Sequence, residues 1–307
     1  MYALQRPEAR RWADRRLHGV GRPRLGLKLI REIPVPLPPL EEQRRIVDIL
    51  EDHLSHLDAA NAHLDAAVLR ERALVRAVLT DAIPDVNDYP AGWTTATVAE
   101  AGHVELGRQR HPDWHHGPNM RPYLRVANVF EDRIDAADLK EMHWPDDTFE
   151  RFRLQPGDVL LNEGQSPEFL GRPAIYRGTP ESVAFTNSLI RFVAHETVRP
   201  EFALLVFRRH MHAGRFQRES RITTNIAHLS ASRLKAIEFP IPPLDVQDGI
   251  VSDVTQRLDA LRTITKQVRT ARLRSHALRR SLLDAAFSGR LSDRPSGSER
   301  AEEPTFA

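Results

Sequence analysis

Cysteine is absent from all 307 residues, and that single absence removes several chemistries at once. Without a thiol there is no disulfide scaffold, thiolate zinc site, iron–sulfur cluster or cysteine nucleophile. No apolar run approaches the roughly 20 residues that span a bilayer. The start, Met1-Tyr2-Ala3-Leu4-Gln5-Arg6, lacks the basic-then-apolar order of a secretory signal, so a cytoplasmic setting is expected. No glycine-rich loop ends in Lys-Ser or Lys-Thr, which excludes an encoded phosphate loop. An Asn-Pro-Pro-aromatic methyltransferase motif and a glycine-rich cofactor loop are also missing. The sequence therefore predicts no catalytic residue, no metal and no cofactor.

Lysine is scarce. Only Lys28, Lys140, Lys235 and Lys266 stand among 44 basic residues, and the rest are arginine. Arginine offers a planar, always-charged fork for phosphates and guanine edges. An arginine-rich composition is also what a GC-rich genome produces, and the formal net charge is only +2. Clustering, not total charge, has to carry any argument about nucleic acid.

The chain repeats itself. Ile33-Pro34-Val35-Pro36-Leu37-Pro38-Pro39-Leu40-Glu41-Glu42-Gln43 returns as Ile237-Glu238-Phe239-Pro240-Ile241-Pro242-Pro243-Leu244-Asp245-Val246-Gln247, an offset of 204 residues. The register continues without a gap: Leu54 matches Leu258, Leu57 matches Leu261 and Ala82 matches Ala286. In each copy the prolines fix an extended lead-in that cannot continue a helix. Acidic residues then stand where they favour a helix N-terminus. Ile46, Leu50, Leu54, Leu57, Asn61, Leu64 and Val68 follow at three- and four-residue steps, the pattern of a coiled-coil seam. The second copy supplies Ile250, Val254, Leu258, Leu261, Ile264 and Val268, flanked by arginines. A narrow apolar stripe is unstable alone, so the two helices, at 41–83 and 244–290, are expected to pack on each other, antiparallel.

Between them the pattern changes. Short segments at Thr94–Val98, Tyr123–Val129, Val159–Leu161, Ala174–Tyr176 and Leu189–Val193 are punctuated by glycine or proline, and Phe202–Met211 reads as a helix. The expected class is α+β: a mixed α/β domain flanked by two long helices that form an antiparallel coiled coil. The expected division is an exit segment at 1–32, a lead-in and helix at 33–83, a linker at 84–92 and the mixed domain at 93–240. A second lead-in and helix follow at 241–291, then a disordered tail at 292–307.

With these features in view, the chain resembles the specificity subunits of type I restriction–modification systems. The Pro-Pro-Leu-x-x-Gln stretches Pro38–Gln43 and Pro242–Gln247 look like that family's hallmark. So do Pro122–Val129, Leu154–Leu160 and Asn225–Ser230 inside the middle domain. The resemblance implies a non-catalytic chain that binds double-stranded DNA at one half of a bipartite target. It implies partner methyltransferase subunits, a restriction subunit joined through the complex, and a target-recognition domain at 93–240. Residues 1–32 resemble only the end of a first such domain, which implies a homodimer or a second specificity chain. The alternative is a coiled-coil interaction scaffold, or truncated remnant, without DNA recognition.

Three stretches of the middle domain carry the residue types for reading DNA. Arg108, Gln109 and Arg110 open a loop with His111, His115 and His116, and can meet base edges or phosphates. Arg208 to Asn225 forms a candidate phosphate-tracking stripe, from which Arg215, Arg218, Arg221, Thr223, Thr224 and Asn225 are the DNA-facing candidates. Gln165, Ser166 and Arg172 form a third. The histidines lack a second ligand cluster in the sequence, and Asp135, Asp138 and Lys140 read as a solvated face rather than a nuclease site.

Overall fold

The computed structural model describes residues 2–19, 23–223, 226–288 and 290. It divides into two compact units, Met1–Arg70 with Thr263–Ala307, and Glu71–Arg262. The expected tail lies outside the described residues.

The first long helix runs Leu40–Ala82 and the second Leu244–Phe287, so their starts keep the offset of 204. The five-residue helices Leu27–Arg31 and Ala231–Lys235 keep it as well. So does the repeated glutamine. Gln43 Nε2 donates to the Pro38 carbonyl at 2.7 Å, and Gln247 Nε2 to the Pro242 carbonyl at 2.8 Å. The repeat in sequence is thus a repeat of local structure.

Within each unit the two helices run antiparallel. In the first unit Ile46, Leu50 and Leu54 bury against Leu283 and Ala286, with Leu57, Leu282 and Phe287 at the margin. Asp65 pairs with Arg272 at 2.9 Å, and Asp58 pairs with Arg279. In the second, Val75, Leu79 and Ile83 share a core with Val254 and Leu258, with Ile250 and Leu261 at its edge, and Asp81 pairs with Arg257 at 2.8 Å. Leu64 and Val268 are half-buried. Ile264 departs from the expected stripe, being 51% exposed. A four-then-three step from Leu261 lands on Thr265 and Val268 and leaves Ile264 outside.

The globular part of the second unit is built on a four-stranded antiparallel sheet. Its order is Gly102–Leu106, Leu189–Ala194, Val159–Asn162, Pro173–Ile175. Alternation along the buried strand separates two cores. Val159 and Leu161 join Phe192, Phe202, Phe207 and Phe239 on one face, while Leu160 joins Trp144, Phe152 and Phe185 on the other. The helix Pro200–His212 covers the first face, and Thr94–Thr97 pairs with Glu238–Ile241 where the chain enters and leaves. The segment expected as one strand over Tyr123–Val129 is broken. Met120–Leu124 is a strand, Val126–Asn128 a 3-10 turn, and Val129–Phe130 a separate short strand. Buried Asn128 causes the break, since its Oδ1 accepts from the Arg125 backbone N–H at 3.1 Å.

Gln247 explains why the domain and the second helix belong to one unit. Its side chain is fully buried, its Oε1 accepts from the Arg199 N–H at 2.8 Å, and its Nε2 also donates to the Thr197 carbonyl at 2.9 Å. Arg199 is the N-cap of the Pro200–His212 helix, so one amide joins two helix N-termini. Arg209 ties in the first helix by donating to the Ile83 carbonyl at 3.2 Å and pairing with Asp85. The unit therefore extends beyond 93–240 into the adjoining helix segments.

Candidate nucleic-acid interface

The loop after the Gly102–Leu106 strand is clamped at both ends. Gly107 N–H donates to the Leu189 carbonyl at 3.1 Å, and a Cβ at this position would lie 2.3 Å from the Thr186 carbonyl oxygen, so only glycine fits. At the far end Trp144 N–H donates to the Asn119 carbonyl at 2.9 Å. Arg108 locks the middle. Its guanidinium lies 3.8 Å from the Trp114 ring centre and 4.8 Å from that of Trp144, and donates to the His143 carbonyl at 2.8 Å. Burial pulls its pKa below arginine's ordinary value, partly offset by the charge of Asp147. Gln109, Arg110, His111, His115 and His116 all remain exposed on this fixed backbone.

The second and third candidate stretches meet. Gln165 pairs with Ala227 of the strand Ile226–His228, which itself pairs with Arg221–Thr223. Gln217 Nε2 donates to the Pro167 carbonyl at 2.7 Å. Gln165 and Ser166 are half-buried and Arg218 is exposed. Thr224 and Asn225 lie outside the described residues, as do the side chains of Arg221 and Thr223. Gly171, at a φ of +67°, would place a Cβ 2.4 Å from the Phe216 ring, so the turn and the short helix Arg215–Arg218 are packed tightly.

Several arginines of these stretches are engaged inside the unit. Arg172 donates to the Val129 carbonyl at 3.1 Å and lies over the rings of Phe130 and Phe169. Arg215 forks onto Glu238, at 2.8 to 3.0 Å, and onto Glu219 at 2.6 Å, which raises its pKa further. Arg208, expected in the stripe, is buried and donates to Glu131 at 2.7 Å, with His212 2.9 Å from the same oxygen. Burial alone would raise the Glu131 pKa, but these two partners outweigh it and bring it to about 2.

Sequence reasoning missed Trp144 as the floor beneath Arg108, and missed the His228–Glu163 contact at 3.2 Å beside Gln165. An isolated tryptophan in the polar stretch around 140–147 was the available signal for the first. Asp135 pairs with Arg133, while Asp138 pairs with Arg125 and Lys140, so this acidic group is held by surface ion pairs. Among the described residues no group of three or more His, Asp or Glu side chains converges on a metal position, and no helix is long and apolar enough to cross a membrane.

The chain spans about 60% of the length of two curated relatives that it matches over most of its own. The specificity subunit of the type I restriction enzyme EcoKI of Escherichia coli (strain K12) is 25% identical over 283 residues, covering 89% of this chain and 60% of the relative. The StySPI specificity subunit of Salmonella potsdam is 25% identical over 288 residues, with the same two shares. Among solved structures, a chain from work on complex assembly and conformational transition of the type I R-M system superposes with a TM-score of 0.66. It is 19% identical, and the match covers 88% of this chain and 65% of that one. The HsdS subunit from Thermoanaerobacter tengcongensis superposes at 0.52 with 19% identity, covering 94% and 69%. These two share the fold. A family model described as the type I restriction modification DNA specificity domain matches residues 8–69 and 117–271. Together with the repeated glutamines and the domain hung between two long helices, that match places the chain: it belongs to the type I restriction modification DNA specificity domain family.

Proposed function

We propose that this chain is the DNA-addressing subunit of a type I restriction–modification complex. It reads one half of a bipartite target through residues 93–240, while partner subunits methylate and cleave in the cytoplasm. The observation that carries the reading is the loop from Gly107 to Asn119, whose backbone is held by the half-buried Arg108 guanidinium against two indoles while its polar side chains stay exposed. A recognition element gains affinity and selectivity when it is ordered before it binds.

In this reading Gln109, Arg110, Gln165, Ser166 and Arg218 face bases and phosphates. Arg108, Arg172 and Arg215 hold those segments in place. The long helices set the spacing of the reader and dock methyltransferase subunits, through which a restriction subunit joins. At 1.5 Å per residue, a helix of 43 residues spans about 64 Å, or roughly 19 base pairs.

A second recognition domain, from another specificity chain or a second copy, completes the target. The repeat supports this point. Leu234 and Phe239 are fully buried under the domain, whereas their counterparts Ile30 and Val35 are 45% and 47% exposed. The test is co-expression with the host's methyltransferase subunit, followed by mapping of methylated bases across the genome. The expected result is a new two-part methylated motif. A stable complex with no new methylation would favour a coiled-coil scaffold instead.

A further inference from the structure

The unit Glu71–Arg262 has no basic excess. Residues 71–262 hold 23 basic against 27 acidic side chains. The basic excess lies in the helical unit, where residues 263–290 carry seven basic and one acidic, and residues 1–39 carry nine and three. Residues 40–70 show the reverse, seven acidic against three basic. Several of those acids are used internally: Asp58 on Arg279, Asp65 on Arg272 and Glu41 on Arg44.

Unpaired groups of both signs occur, but one set of unpaired cations is clustered. Arg10, Lys266, Arg269 and Arg280 are exposed and carry no carboxylate partner among the described residues. Lys266, Arg269 and Arg280, with Leu273 and His276 between them, follow three- and four-residue steps and so share one face of the second helix. Arg10, from the helix Pro7–Asp14, lines two adjoining clefts together with Arg280. From Lys266 to Arg280 the helix rises about 21 Å, the rise of about six base pairs. Only Leu273 is apolar along this face, which is little for a protein partner to bury.

We propose that the helical unit binds the phosphate backbone of duplex DNA without regard to sequence, with Arg10, Lys266, Arg269 and Arg280 making the contacts. The inference rests on the DNA-addressing reading and extends it: selectivity belongs to the recognition unit, and the salt-dependent hold belongs to the helices. Each phosphate contact contributes about 0.9 to the slope of log affinity against log salt concentration.

The test is a salt titration of the full chain on a random-sequence duplex and on the methylated target once mapped. The variant carries Arg10→Gln, Lys266→Gln, Arg269→Gln and Arg280→Gln. The expected result is a slope smaller by about 3 to 4 on both duplexes, an unchanged ratio of affinities between them, and an unchanged thermal midpoint. A companion variant with Arg10→Lys, Arg269→Lys and Arg280→Lys should keep the slope. An unchanged slope in the Gln variant overturns the inference and leaves the DNA-addressing reading standing. So does an unchanged slope accompanied by loss of a methyltransferase subunit, which would assign the face to protein. A wild-type chain whose affinity for either duplex ignores salt overturns both.

Discussion

Gln247 shows how one side chain can carry an element boundary. Its amide closes three hydrogen bonds in a fully buried position, two of them to residues about fifty positions earlier. Gln247→Ala leaves the Arg199 N–H and the Thr197 carbonyl unpaired, and should lower stability by about 2 to 3 kcal/mol in urea unfolding. Gln43→Ala removes one half-buried bond and should cost about 1 kcal/mol or less. Ser275 is the opposite case. Its Oγ is buried on the second helix without a partner, so Ser275→Ala should raise stability by about 1 kcal/mol, read as a higher urea midpoint. Glu131 adds a pH dependence. A carboxyl held at about 2 in the fold, against an ordinary 4.5, stabilises the protein above the ordinary value and loses that contribution as pH falls through about 2. Glu131→Gln should therefore flatten the acid loss of stability between pH 4.5 and 2. The glutamines were legible in the sequence because the repeat marked them. Their distant partners were not, because neither Thr197 nor Arg199 carries a local signal.

At the scale of elements, the helices are the part that the sequence exposes most fully. A four-three apolar step and a proline-rich lead-in define their starts, direction and seam, and only Ile264 falls out of phase. Leu54→Ala should cost about 2 to 5 kcal/mol, read by thermal or urea unfolding, because Leu54 is almost fully buried between the helices. The ion pairs beside it are exposed and matter less. Arg279→Asp should cost well under 1 kcal/mol, and adding Asp58→Arg should recover it. The recognition domain was legible only as alternating segments between turns. Its sheet order depends on pairings such as Leu189–Ala194 with Gly102–Leu106, which join residues nearly ninety positions apart. The arginines show the same limit. A run of basic residues in sequence does not reveal that Arg208 and Arg215 face carboxylates brought in from Glu131 and Glu238.

At the scale of the whole molecule, the proposed function divides two duties between two units. In that proposal the unit with the preordered loop supplies selectivity, and the basic helical unit supplies attraction that salt weakens. The central claim is that residues 93–240 select a DNA sequence. The most direct measurement is enrichment of bound duplexes from a random library by the full chain, assembled with its methyltransferase subunit. The predicted result is a short enriched motif that Gln109→Ala with Arg110→Ala weakens or alters while the complex stays intact. A stable complex whose bound pool matches the starting library would contradict it.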